Sequence, residues 1–227
     1  HRDLHSFPTR RSSDLFADFS DEEMWQVRLG EQRHAADIGR YNAQFQLNYT
    51  SAQVKYPRRE NVIGDLMSII QACQPGIIYT HNLADKHDTH VAVGLSVIEA
   101  LRQLGQTAQG ITFYGCEIWR GLDWLPDDRK VALDVSSHPD LQEALLLAFP
   151  SQVAGGKRYD RAGIGRRRAN ATFYQSHQTD QAELMVYAMD LTPLISDPEL
   201  DISDFMDGFL QDLSNDVSSR LNRFKPD

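Results

Sequence analysis

Apolar and polar residues alternate along the chain with two different periods, which predict both helices and strands. Apolar residues three and four positions apart are typical of one helix face, whereas short apolar or alternating runs are typical of strands. The predicted helices cover residues 21–38, 57–73, 87–104, 139–149 and 202–224, and the predicted strands cover residues 45–49, 76–79, 111–114, 130–135 and 184–191.

Three successive alternations of helix and strand before residue 115 favour a mostly parallel sheet that is covered by helices. Right-handed crossovers make this a three-layer, Rossmann-like α/β domain. We expect a single domain over residues 16–227, ended by an amphipathic helix whose apolar face carries Phe205, Phe209, Leu213, Val217 and Leu221.

The first fifteen residues, HRDLHSFPTRRSSDL, follow neither period. They lack the apolar stretch of a signal peptide and resemble a translated sequencing adaptor, so we predict a non-native leader over residues 1–15. A natural disordered arm is the alternative. If the leader is foreign, we expect native residues upstream of Phe16 to be missing from this sequence.

Composition narrows the classes of protein that fit. The 227 residues carry a formal net charge of −9, which argues against a general nucleic-acid binder because such proteins need a basic surface. No apolar run reaches the roughly 18 residues of a membrane-spanning helix. The two cysteines, Cys73 and Cys116, are far apart in sequence, which excludes a disulfide framework and a cysteine-rich zinc site. A reducing, cytoplasmic compartment is expected.

The densest group of chemically active residues is THNLADKHDTHVAVG at residues 80–94, directly after a predicted buried strand. Ligands bind beyond the carboxyl ends of strands in open α/β sheets, so we expect a site here. The segment contains His81, Asp85, His87, Asp88 and His90. An imidazole beside a carboxylate suits a zinc ligand or a positioned acid–base group, although polar residues also simply begin helices.

Two motifs together resemble those of a known family. DKHDTHVAVG at residues 85–94 is similar to the D-x-H-P-D-H signature of the PIG-L-type (LmbE-like) zinc-dependent deacetylases, and RLGEQRHAADIG at residues 28–39 is similar to their R-x-x-E-x-x-x-A-x-x-L-G helix. The likeness continues through EIWRGLDWL, SQVAGGKRYDRA and ANATFYQSH and spans residues 16–195. It implies a Zn²⁺-dependent hydrolase that removes an acetyl group from an N-acetylated sugar or sugar conjugate.

The resemblance also implies roles for individual residues. His90 matches the zinc-binding histidine, and His87 matches the histidine that holds the oxyanion or protonates the leaving amine. Asp85 would orient His87 and raise its pKa. Arg28 matches the arginine that contacts substrate, with an ion pair to Glu31 on an exposed helix face as the alternative.

The family's first signature, A-H-P-D-D-E, is absent. In the family it follows the first strand and supplies two zinc ligands and a general base, and its place here would lie upstream of Phe16. We therefore expect the first strand to be missing as well. Because a catalytic zinc needs three protein ligands, we expect His90 alone to hold the metal weakly and the chain as written to be inactive.

A basic group stands out in the acidic chain, namely Lys157, Arg158, Arg161, Arg166, Arg167 and Arg168, interleaved with glycines. A glycine-rich loop of this kind would bind phosphate or another anion, so Lys157 and Arg158 are candidate substrate-binding residues. A solvated surface loop is the alternative. We expect His177 to line the deacetylase pocket, and Trp119 either to stack on a sugar ring or to pack in the core.

Two functions from different classes fit these features. The first is the N-deacetylase, acting on a small N-acetylated sugar or on another amide. The alternative is a non-catalytic sugar- or anion-binding module partnered with a sugar-phosphate enzyme. The residues upstream of Phe16 would discriminate between them, since a binding module need not carry A-H-P-D-D-E. A homo-oligomer is compatible with both.

Overall fold

The computed structural model describes residue 16, residues 18–153 and residues 157–226, so the predicted leader lies outside the described residues. The helices are α1 (Asp21–Gly39), α2 (Ser51–Lys55), α3 (Glu60–Cys73), α4 (Asp88–Leu104), α5 (Pro139–Leu147), α6 (Pro150–Val153), α7 (Tyr159–Phe173), α8 (Pro193–Ser196) and α9 (Ile202–Phe224), with a 3-10 turn at Gly105–Ala108. The strands are β1 (Ile77–His81), β2 (Thr112–Cys116), β3 (Lys130–Asp134) and β4 (Met185–Asp190). None of the described helices combines the length and apolar character that crossing a membrane requires.

The four strands form one sheet in the order β1-β2-β4-β3. β1 and β2 run parallel, with Ile77 beside Thr112 and His81 beside Cys116. β4 enters between β2 and β3 in the opposite direction, so both of its ladders are antiparallel. The expected α/β fold is confirmed, but its described sheet is mixed rather than mostly parallel. A helix, α4, connects the parallel strands β1 and β2, whereas β4 is antiparallel to both of its neighbours.

The strand predicted at residues 45–49 is absent, and this segment runs between α1 and α2 without pairing to a described strand. Gln46 instead ties it to α1, with Nε2 donating to the Leu29 carbonyl at 3.1 Å. Phe45 and Leu47 remain exposed. Alternating apolar and polar residues suit a sheet surface, but a strand also needs a neighbour to pair with.

Two helical regions differ from the prediction. The helix expected from Pro57 begins at Glu60, and the short α2 precedes the proline. The basic segment expected as a glycine-rich loop is mostly the helix α7, while Lys157 and Arg158 lie just before it. Gly163 of α7 faces Leu146 of α5, where an added Cβ would make an ordinary van der Waals contact.

The core lies where α3 and α4 pack together and α4 packs on β1. Its most deeply buried side chains come from α4, from β2 and β4, and from the segments that follow them, namely Ile98, Leu101, Phe113, Leu122, Tyr187, Met189, Leu191 and Leu194. Phe209 joins this cluster from the first half of α9. The end of β1 that carries His81 is therefore held by a packed helix and a packed strand.

Two glycines allow close packing around that end of β1. A Cβ on Gly94 of α4 would lie 3.2 Å from the His81 carbonyl oxygen. A Cβ on Gly115 of β2 would lie 2.8 Å from a Leu191 methyl carbon and 3.0 Å from the Cα of Asn82. A larger residue at either position would push the end of β1 away from its neighbours.

We expect Gly115→Ala to destabilise the protein by about 1–3 kcal/mol, because the added methyl group meets backbone as well as side-chain atoms. Gly64→Ala is the matched control, since Gly64 lies inside α3 with no atom within 4 Å of an added Cβ. Alanine there should stabilise the helix by about 0.5–1 kcal/mol. Urea unfolding followed by circular dichroism measures both changes, and a Gly115→Ala protein as stable as the parent would contradict the close approach.

Candidate active site

The candidate site forms where two parallel strands end side by side. His81 at the end of β1 and Cys116 at the end of β2 are register partners. Because parallel strands end at the same edge of a sheet, the loops at residues 82–87 and 117–121 emerge together. Asn82 joins them at the base, with its backbone N and its Nδ2 both donating to the Cys116 carbonyl at 3.0 Å.

Asp85 connects the two loops through a carboxylate that is fully shielded from solvent. Oδ1 accepts from the backbone N of His87 at 2.9 Å and lies 3.3 Å from Nδ1 of His90. Oδ2 accepts from the backbone N of Trp119 at 2.9 Å and from that of Arg120 at 3.4 Å. One buried carboxylate therefore fixes both the start of α4 and the loop that follows β2.

Backbone donors keep this carboxylate ionised despite its burial. Burial alone would raise the pKa of Asp85, but the donors at His87 and Trp119 outweigh that effect and hold the pKa below its usual value. Burial lowers the pKa of His90, and the charge of Asp85 offsets only part of the shift. Burial, with the neighbouring His90, lowers the pKa of His81 to about 4. His81 and His90 are therefore predominantly neutral near pH 7.

Three imidazole rings stack beside the Asp85 carboxylate. The His81 and His90 centroids lie 3.9 Å apart at an interplanar angle of 4°, and the His87 and His90 centroids lie 4.6 Å apart at 27°. Nδ1 of His87 is buried and has no hydrogen-bond partner among the described residues. Because an unpaired buried nitrogen is costly, this atom needs a partner that the described residues do not supply.

Asp85 acts on His87 in a different way from that predicted. The carboxylate accepts from the backbone N of His87, whereas the imidazole nitrogen nearest to it is Nδ1 of His90. His87 immediately precedes α4, where backbone N atoms lack helical partners and need another acceptor. The Asp85 carboxylate lies within ion-pair distance of Nδ1 of His90, although this nitrogen, like Nδ1 of His87, makes no hydrogen bond among the described residues.

An aromatic and cationic surface adjoins His87. The Trp119 ring lies 6.2 Å from the His87 ring, and Nζ of Lys157 lies over the same indole at 4.7 Å from its centroid. Tyr159 meets Trp119 edge to face at 6.1 Å. The structure thus brings Lys157, one of the residues predicted to bind substrate, next to the histidine stack.

The other residues predicted to bind substrate have different surroundings. Arg158 forms an ion pair with Asp160, and its hydrogen bond lowers the pKa of that carboxyl to about 2. His177 is exposed in a turn that follows α7. Arg28 is half-buried on α1, where burial lowers the pKa of the guanidinium and the charge of Glu31 partly opposes the shift. A role in substrate binding stays a prediction for all three.

Glu31 does not lie on an exposed helix face. Its carboxylate is buried and accepts from the backbone N of Ser151 at 2.7 Å and from the Ser151 hydroxyl at 2.6 Å. This contact ties α1 to the start of α6, so the glutamate in the RLGEQRHAADIG motif has a structural partner of its own.

The described residues do not make a zinc site by themselves. A catalytic zinc takes three protein ligands and a water molecule. Within residues 18–153 and 157–226, no group of three or more histidine, cysteine, aspartate or glutamate side chains is arranged to hold a metal ion. The stacked rings of His81 and His90 direct their lone pairs in parallel planes rather than at one point. Burial raises the pKa of the nearby Cys116 thiol to about 11. Zinc binding by His90 stays a prediction that requires further ligands.

Sequence analysis did not identify Glu117, whose carboxylate holds the loop at residues 117–121 in place. Its buried carboxylate accepts from the backbone N of Leu122 at 3.2 Å and from that of Tyr187 at 3.1 Å, and it also accepts from Asn170. Sequence analysis also did not identify the hydrogen bond that the backbone N of Trp119 donates to Asp85. A usable signal was present, because EIWRG directly follows the strand next to β1 and strand ends at one edge share a site.

Comparison with known protein families gives one match. Residues 8–101 match the PIG-L family, described as GlcNAc-PI de-N-acetylase. The match includes α1, β1, the histidine stack and most of α4, and covers less than half of the chain. It begins inside the predicted leader, whose foreign origin stays a prediction. No curated protein matches this sequence.

Solved structures share the fold at low sequence identity. A conserved protein from Thermus thermophilus has a TM-score of 0.57 at 17% identity over 83% of this chain and 82% of its own. The N,N'-diacetylchitobiose deacetylase from Pyrococcus horikoshii has a TM-score of 0.56 at 17% identity over 83% and 71%. The 4-carboxy-2-hydroxymuconate hydratase from Pseudomonas putida has a TM-score of 0.53 at 15% identity over 80% and 80%. Because proteins named for different reactions share this fold, the reaction must be argued from the site.

We expect Asp85→Asn to lower the free energy of unfolding by about 1–3 kcal/mol, because the amide presents donor hydrogens to backbone groups that are themselves donors. Asp88→Asn is the matched control, since Asp88 is exposed in the first turn of α4. This exposed substitution should change stability by less than about 0.5 kcal/mol. Urea unfolding measures both variants, and equal midpoints would show that Asp85 does not hold the two loops together.

We expect the 227-residue chain to hold clearly less than one equivalent of zinc. The measurement is elemental analysis after incubation with zinc and dialysis, with His90→Ala and His34→Ala compared in parallel. His34 is exposed on α1 and serves as the matched control. A full equivalent of zinc that disappears in His90→Ala and persists in His34→Ala would contradict the expectation.

Proposed function

We propose that this protein is a deacetylase-type hydrolase that removes an acetyl group from an N-acetylated sugar or sugar conjugate. The match of residues 8–101 to a family described as GlcNAc-PI de-N-acetylase supports the proposal, because the matched segment contains the whole Asp85–His90 motif. A deacetylase of N,N'-diacetylchitobiose with the same fold gives further support.

The observation that carries the proposal is the unpaired Nδ1 of His87. This nitrogen is buried and lacks a partner among the described residues. The backbone of His87 is fixed by Asp85 and its ring stacks on that of His90, and neither contact uses the nitrogen atoms of the His87 imidazole. A group with these properties is prepared to bind a substrate atom.

Amide hydrolysis gives such an imidazole two possible tasks. Negative charge develops on the acyl oxygen when water adds to the amide carbon, and a donor placed at that oxygen lowers the barrier. Protonation of the leaving amine is needed when the adduct collapses. His87 would perform one of these tasks, while Asp85 holds His87 and His90 in register.

The surface formed by Trp119 and Lys157 suits the sugar. An indole face provides the flat apolar contact that a pyranose ring requires, and it lies beside the His87 ring. The ammonium group of Lys157 is held over this indole. The sugar would therefore lie against Trp119 with its N-acetyl group directed toward His87.

Activation of the attacking water by zinc needs a three-ligand metal group, which residues 18–153 and 157–226 do not form by themselves. We propose that zinc ligands and a carboxylate base come from residues outside the described part of the protein. Residues 18–153 and 157–226 would then contribute the groups that hold the acyl oxygen and the sugar.

A non-catalytic sugar-binding module is the second candidate. The observation that favours it is the lack of a three-ligand metal group in the described part of the chain. Such a module would use Trp119 and Lys157 in the same way but would need neither a metal nor a base.

The test compares the 227-residue chain with a longer chain that carries its natural residues upstream of Phe16, read from the source DNA. Acetate released from N,N'-diacetylchitobiose is the readout. We expect activity only in the longer chain, and there His87→Ala should lower kcat by about 10²–10⁴-fold. His34→Ala should leave the rate unchanged. Acetate release that is insensitive to His87→Ala would overturn the role of His87, and sugar binding without acetate release in the longer chain would favour the binding module.

A further inference from the structure

α9 extends beyond the body of the protein. Its first half is anchored, since Phe209 is buried in the core and the Arg129 guanidinium lies over the Phe209 ring at 3.8 Å while it pairs with Asp212. Beyond Leu213, every described residue as far as residue 226 is exposed. At 1.5 Å per residue, about 16 Å of helix projects from the body.

An apolar stripe continues along the projecting half. Leu210, Leu213, Val217, Leu221 and Phe224 recur at intervals of three or four residues, so they lie on one face of the helix. Leu221 and Phe224 are exposed by 65% and 77%. Single exposed leucines are ordinary on a protein surface, but a continuous stripe on an otherwise solvated helix is typical of a helix that has a partner.

Charges along α9 are segregated by sign. The aspartates Asp204, Asp207, Asp212 and Asp216 occupy the first two-thirds, and the arginines Arg220 and Arg223 occupy the last third. At 100° per residue, Asp212, Asp216, Arg220 and Arg223 fall along the same flank of the apolar stripe. One flank of a single helix therefore carries an acidic half followed by a basic half.

We propose that α9 pairs with α9 of a second copy of this chain in an antiparallel, two-fold symmetric dimer. When the two helices cross near Val217, Leu213 of each copy lies opposite Leu221 of the other. The same crossing brings the two charged flanks together, with Asp216 diagonal to Arg220 of the other copy and offset from it by about 3 Å along the axis. Two-fold symmetry then forms every contact twice.

The charges select the antiparallel direction and the second copy as partner. A parallel pair in register would place the charged flank of one copy against the uncharged flank of the other, which carries Ser214 and Ser218, so the opposite charges would not meet. In the single chain Asp216 and Arg220 pair with each other at 3.0 Å as exposed residues four apart. Exposed pairs of this kind contribute little, so exchanging them for contacts between copies costs little. The dimer does not depend on the proposed enzymatic activity.

Sedimentation equilibrium of the 227-residue chain tests the proposal. We expect a dimer, and we expect Leu221→Asp to raise its Kd at least about a hundredfold because a charge enters the apolar seam. Ser219→Asp adds the same charge to the opposite face of the helix and should leave the Kd unchanged. Circular dichroism of each variant verifies that the helix is retained. A monomeric parent chain, or a dimer that Leu221→Asp leaves intact, overturns the proposal.

Charge reversal tests the direction of the pair. Arg220→Asp places like charges diagonal to each other in the antiparallel dimer and should weaken it about tenfold. The double variant Asp216→Arg with Arg220→Asp restores opposite charges and should return the Kd to that of the parent chain. A dimer that Arg220→Asp does not weaken would contradict the antiparallel arrangement.

Discussion

A carboxylate removed from water must be surrounded by donors, and the candidate site depends on how Asp85 meets that requirement. Its two oxygens take backbone donors from the start of α4 and from the loop after β2. The burial that would neutralise an isolated carboxyl is thereby outweighed, and the ionised group stands behind His90. Loss of these donors would release both loops at once, so the histidine stack and the Trp119 surface depend on one side chain.

This arrangement requires that the two loops start close together. The parallel pairing of β1 and β2 provides that closeness, because His81 and Cys116 end their strands as direct neighbours. Gly94 and Gly115 then allow α4 and β2 to approach the backbone at the end of β1. Asn82 completes the junction by donating twice to one carbonyl oxygen. The geometry of the site is therefore established by the backbone of the sheet before any catalytic side chain contributes.

Features that depend on local sequence are the ones that sequence analysis predicted. The bounds of α9 were predicted in full, and β1 and α4 nearly so, because each has a clear apolar period or an adjacent breaker. Residues 45–49 have the alternation of a strand but no described strand to pair with, and the direction of β4 is not encoded by its own pattern. The histidines were located through the motif at residues 80–94. The hydrogen-bond donor at Trp119 was not located, because it is a backbone atom 34 residues from Asp85 and no side-chain pattern indicates it.

The contact between Asp85 and the loop after β2 has an evolutionary consequence. Asp85 holds the main chain at Trp119 and Arg120, while their side chains take no part in that contact. Replacement of the Trp119 side chain would therefore leave the Asp85 contacts intact, whereas Arg120 also donates from its side chain to the Ala84 carbonyl. Such a division lets a lineage change the molecule it recognises through ordinary point mutations, without first passing through variants whose reactive groups are misplaced.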